Sequence, residues 1–122
     1  MRSPALVLGA LFCALAVVAG AFGAHALRER LGPEALALWE TAARYLMYGG
    51  LGLALLGAVT LQFPRPALGL AAGLLGAGTV VFAGSVGALA LGGPRWLGAV
   101  TPVGGLLIVL GFLLFAWAVV RG

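Results

Sequence analysis

The sequence predicts an all-α integral membrane protein: four transmembrane helices in a compact bundle, with a short interfacial amphipathic helix before the second. Three observations carry this. The 122 residues are 63% hydrophobic and only 8% charged, with a mean hydropathy of +1.18; soluble domains carry roughly 25% charged residues. Four uncharged apolar runs occur, each near the roughly 20 residues that cross a 30 Å hydrocarbon core at 1.5 Å per residue. The seven arginines stand singly or in pairs between those runs rather than on one face. That placement fits charges flanking membrane spans, and it argues against nucleic acid despite a pI near 10.7.

The first span is placed at residues 5–26, behind Met1-Arg2-Ser3-Pro4. A basic start, an apolar run and Ala24-His25-Ala26 also describe a cleavable secretory signal. An internal likeness argues that the helix is retained. Laid 64 residues along, Val17–Leu27 ("VVAGAFGAHAL") matches Val81–Leu91 ("VFAGSVGALAL") at Val17, Ala19, Gly20, Gly23, Ala24, Ala26 and Leu27. A discarded leader has no reason to look like an internal helix. A weaker match sets Gly49-Gly50-Leu51 on Gly104-Gly105-Leu106. Together they predict a duplicated two-helix hairpin, the halves parallel and related by a pseudo-twofold along the membrane normal.

Leu27–Arg44 holds six charged residues and cannot span. Gly32-Pro33-Glu34 reads as a helix start, with proline at the first helical position and an acid in the first turn. Ala35, Trp39, Ala42 and Leu46 share one face, and Glu40, Thr41 and Arg44 another. An amphipathic surface helix is therefore placed at residues 33–44, running on into the second span, with Trp39, Tyr45 and Tyr48 at the interfacial belt.

The remaining spans are placed at residues 45–63, 67–91 and 102–120. Pro64-Arg65-Pro66 and Gly92-Gly93-Pro94-Arg95 punctuate them, because proline cannot continue a helix and glycine favours its end. Thr101-Pro102 reads as an N-cap followed by proline at the first helical position. The 21 glycines imply close helix packing. Gly20, Gly23, Ala24, Gly84, Gly87, Ala88, Gly104 and Gly105 are the expected packing positions.

Residues able to carry chemistry are few. His25 is the only imidazole and Cys13 the only cysteine, so neither a metal site nor a disulfide is expected. Glu40 and Arg44 are four apart and close enough to pair; an Arg44 turned inward would become a contact for an anion or a lipid headgroup. Tyr45 and Thr101 lie at span ends, and Ser85 is expected to bond to its preceding turn or across to another helix. No nucleotide-binding or zinc-protease pattern is present. No catalytic residue and no cofactor is expected. Membrane lipids are the expected partners, with self-association or another membrane protein beside them, and the expected location is the cytoplasmic membrane. The leading expectation is a non-enzymatic structural, interaction or lipid-associated module. A small transporter or channel is the alternative, motivated by the repeat but short of pathway-lining polar groups. Arg2, Arg65 and Arg121 on one side oppose Arg28, Arg30, Arg44 and Arg95 on the other, which gives no usable orientation bias.

Four strings, "GAFGAHAL" at 20–27, "WETAARYLMY" at 39–48, "VFAGSVGALAL" at 81–91 and "LGAVTPVGGLLIVLGFLLFAW" at 97–117, resemble the family called domain of unknown function 423, typified by YgdD-like bacterial inner-membrane proteins. The resemblance implies a four-helix integral membrane protein and no established reaction. Its members often carry His where this chain has Gly49, and Ser and an aromatic where it has Ala83 and Val86. A mechanism resting on that histidine is therefore not expected here.

Overall fold

A computed structural model describes residues 3–121, so the flanking charge at Arg2 lies outside the described residues. The chain forms α1 (Pro4–Phe22), a π-helical turn (Gly23–Leu27), α2 (Pro33–Gln62), α3 (Pro66–Ala90) and α4 (Leu97–Arg121). Four segments are long and apolar enough to cross a membrane, the first being Pro4–Leu27 with the π-turn included.

Local chemistry explains the ends. Ser3 caps α1, its hydroxyl accepting from the Leu6 N–H at 3.1 Å, and Pro4 opens the helix. Pro33 and Glu34 open α2 as the sequence predicts. α3 ends in a Schellman turn. Gly92 takes φ +93°, and the Gly93 N–H returns to the Ala88 carbonyl at 2.8 Å.

One expected boundary is corrected, that of the fourth helix. The helix placed at 33–44 and the second span form one element, α2, which runs unbroken for 30 residues. Ala42 and Ala43 are buried and Trp39 is half-buried, so its apolar face packs against neighbouring helices and the rod needs no joint. The fourth span does not begin at 102. The N–H groups of Leu97, Gly98 and Ala99 bond to the Pro94, Arg95 and Trp96 carbonyls at 3.0–3.1 Å, a tight turn that starts α4 ahead of Leu97. Pro102 therefore lies inside the helix. Thr101 is no cap: its hydroxyl donates back to the Leu97 carbonyl at 3.1 Å, as an interior threonine does.

Antiparallel neighbours build the bundle in chain order. α1 packs on α2, α2 on α3 and α3 on α4. α2 also reaches α4 where Gly52 faces the Phe112 ring. The core is Leu53, Leu56, Leu68, Ala71, Leu75, Ile108 and Ala118. α1 stands at one side and is the least buried helix.

Bare backbone makes these contacts possible. A side chain at Gly9 would run into the α2 backbone at Gly50 and Ala54, and one at Gly57 into α1 at Leu6. A Cβ at Gly78 would stand 2.7 Å from the Ile108 nitrogen, and at Gly104 2.5 Å from the Phe82 nitrogen. Gly23, Gly87 and Gly105 lie against Trp39, Ala42 and Phe82. Gly20 and Gly84 do not: open space surrounds both. Ala24 is exposed as well, and Ala88 is half-buried.

Two of the glycine pairs that the internal likeness matches pack differently. Gly9 lies on α2, while Gly73, its match 64 residues on, has open space. Gly23 meets the α2 residue Trp39, whereas its match Gly87 faces α2 again, at Ala42, and not α4.

Candidate functional site

The polar groups inside the bundle gather at two helix–helix joints. The first joins α3 to α4. Ser85 and Thr101 share a hydroxyl–hydroxyl hydrogen bond of 2.7 Å. Ser85 also lies 3.1 Å from the Phe82 carbonyl, and Thr101 3.1 Å from that of Leu97. Two hydroxyl protons face three acceptors, so one hydroxyl donates to its own helix while the other donates across. Ser85 is buried and Thr101 half-buried. Beside this joint Tyr45 of α2 packs on Phe82, ring centroids 4.7 Å apart, and on Tyr48 at 5.1 Å.

The second joint ties α1 to α2. The Trp39 indole N–H donates to the Ala19 carbonyl at 2.8 Å. Gly23 leaves room for the ring, and Phe22 meets it edge-on with centroids 6.3 Å apart.

A third polar group stands apart. Thr41, Thr60 and Thr101 each donate to a carbonyl four residues back. Thr79 is 0% exposed, and among the described residues its hydroxyl has no hydrogen-bond partner. It fills the space left by Gly49, where any side chain would collide with it. A buried hydroxyl without a partner costs roughly 1–3 kcal/mol.

The residues singled out in the sequence do not converge on one centre. Ser85 and Thr101 meet each other, and Tyr45 lies beside Phe82. His25 is exposed on the π-turn. Glu40 and Arg44 are exposed on α2, so Arg44 does not enter the bundle. Among the described residues no three His, Cys, Asp or Glu side chains gather into a metal-binding group. Trp39 and Thr79 are the residues that sequence reasoning missed. The first read as a belt tryptophan, and the second carried no signal, because its role depends on a glycine 30 positions away.

The outer surface holds an apolar groove between α1 and α3, about 540 Å³ where Leu8 and Phe12 face Gly73, Gly76 and Val80. It continues toward Leu15, Leu46 and Gly84 at one end and toward Ser3, Thr60 and Gly69 at the other. Gly69, Gly73 and Gly84 have nothing within reach of a would-be Cβ.

The family model described as "Protein of unknown function (DUF423)" matches residues 19–105. The chain belongs to the DUF423 family. Its matched region reaches from the Ala19 carbonyl through both joints to Thr101, so the polar contacts lie within the family's common segment. Relatives include a UPF0382 membrane protein of Staphylococcus epidermidis, 41% identical over 116 residues, 95% of this chain and 94% of the relative. The UPF0382 membrane protein of Staphylococcus haemolyticus is 43% identical over 109 residues, 89% of this chain and 88% of the relative. That of Staphylococcus aureus is 38% identical over 109 residues with the same coverage. No solved structure matches. This DUF423 chain is thus an integral membrane protein of a family of unknown function.

Proposed function

We propose that this DUF423 protein is a non-enzymatic membrane module that works by association, holding a lipid or a second membrane protein, this chain included, along the groove between α1 and α3. The carrying observation is the fate of its glycines. Those facing inward are occupied by a neighbouring helix at close approach, whereas Gly69, Gly73 and Gly84 line the groove with open space above them. Small residues promote helix association in lipid because they let backbones approach, and bare outward positions leave that capacity unspent. The polar groups support the same reading: Ser85, Thr101 and Trp39 are committed to holding helices together. In this reading the module resides in the cytoplasmic membrane with its first helix retained. α1 serves as one wall of the groove, and α2 packs on it through Gly9 and Gly57.

The test compares the natural chain with Gly73→Leu/Gly84→Leu in lipid nanodiscs. Native mass spectrometry would count protein copies and retained lipids. Association predicts a second copy or a retained lipid in the natural chain, and its loss in the variant at unchanged helix content. A natural chain with neither would refute the reading, and solute flux through liposomes would favour the transporter instead.

A further inference from the structure

The end of the bundle where α2 turns into α3 carries charge of one sign. The chain's acids, Glu29, Glu34 and Glu40, sit toward the opposite end, and roughly 33 Å of α2 separates Glu40 from Gln62. Among the described residues, Arg65 and Arg121 therefore have no carboxylate within reach. The two arginines differ. Arg121 is exposed and lies over the Trp117 ring, 5.9 Å from its centroid. Arg65 is half-buried and lines a cavity of about 220 Å³. The rest of that lining is apolar: Val59 and Phe63 from the end of α2, Leu68 from α3, and Ala118 and Val119 from the end of α4. Arg65 stands at the N-cap of α3, and Leu68 lies about one turn deeper. Phe63 and Trp117, 60% and 53% exposed, mark the interfacial belt at this end. A guanidinium at headgroup depth thus stands above an apolar pocket. α3 also starts there with no side-chain cap and no acid in its first turn, so the partial positive charge of its N-terminus adds to that of Arg65.

We propose that this cavity is a site for an anionic phospholipid, its phosphate on Arg65 and the upper part of one acyl chain against Val59, Leu68 and Val119. Charge complementarity selects the class. A guanidinium matches the geometry of a phosphate, and basic pockets between membrane helices hold anionic headgroups. A zwitterionic lipid offers the same phosphate but brings its own cation to the arginine. A second copy of this chain in the same orientation would bring more positive charge to this end. The size fits as well. Whole small ligands occupy roughly 300–1,000 Å³, so this smaller cavity takes a segment of a molecule whose remainder lies in the surrounding bilayer. The site opens beside α4, whereas the groove of the proposed function has α1 as a wall, so either reading can fail without the other.

Native mass spectrometry of the full chain, taken from nanodiscs holding equal amounts of phosphatidylglycerol and phosphatidylcholine, tests it. The natural chain is expected to retain phosphatidylglycerol about fivefold over phosphatidylcholine, the effect of one arginine beside an anionic headgroup. Arg65→Gln removes the charge and is expected to abolish that preference. Val119→Trp fills the cavity from an exposed position and is expected to abolish it too. Arg121→Gln, outside the lining, is expected to keep it, as is Gly73→Leu/Gly84→Leu in the groove. Equal retention of both lipids by the natural chain overturns the proposal. So does a preference that survives Arg65→Gln or Val119→Trp, and so does one that falls equally with Arg121→Gln, which would show diffuse attraction to a charged end. Should either lining variant fail to fold, the other decides alongside the natural chain.

Discussion

At the scale of single residues, the protein is governed by where a side chain is missing. Gly9 and Gly57 press on a neighbouring backbone, while Gly73 and Gly84 press on nothing. Leucine at Gly57 is expected to destabilise the fold by about 1–3 kcal/mol or more, the range for overpacking, and leucine at Gly84 by less than about 0.5 kcal/mol, as at an unconstrained surface position. Reversible unfolding in mixed detergent micelles measures both. The hydroxyl pair of Ser85 and Thr101 invites a double-mutant cycle with alanine. The expected coupling is about 0.6 kcal/mol, because chains unfolded within a membrane also find partners for their polar groups. Thr79 behaves oppositely. Its hydroxyl has no partner among the described residues, so Thr79→Val, which keeps the shape and removes the unsatisfied group, is expected to raise stability in the same assay.

At the scale of elements, α2 joins a charged surface stretch to an apolar span in one unbroken helix. Its charged first third and apolar remainder face different solvents. Trp39 and Ala42 keep the first third against α1 and α3, and one helix serves both. Proline tests this directly. Arg44→Pro stands where the charged stretch meets the apolar span, and in a continuous helix it is expected to cost about 3 kcal/mol. A flexible joint would tolerate it. Circular dichroism and the same unfolding assay read the difference.

At the scale of the molecule, packing follows chain order, which leaves α1 attached through α2. Gly9→Leu with Gly57→Leu is therefore expected to loosen α1 selectively: its amides exchange faster, while those of α3 and α4 keep their rates. Uniform acceleration across all four helices would show a bundle that opens as one unit.

Much of the architecture was legible in one dimension. The four spans, the proline and glycine punctuation between them and the start of α2 at Pro33 follow from hydropathy and backbone chemistry, which are local properties. The inward faces were not legible. In water an amphipathic pattern marks the buried side of a helix, but lipid tails and a protein interior are equally apolar, so no such contrast marks α1, α3 or α4. Gly20 and Gly23 look alike in the sequence, yet one faces open space and the other receives an indole ring. The tertiary structure alone decided which glycines touch, that Thr101 meets Ser85 and that Trp39 reaches Ala19. Each of these depends on how one rod is rotated against the next, and a sequence this uniformly apolar does not record that rotation.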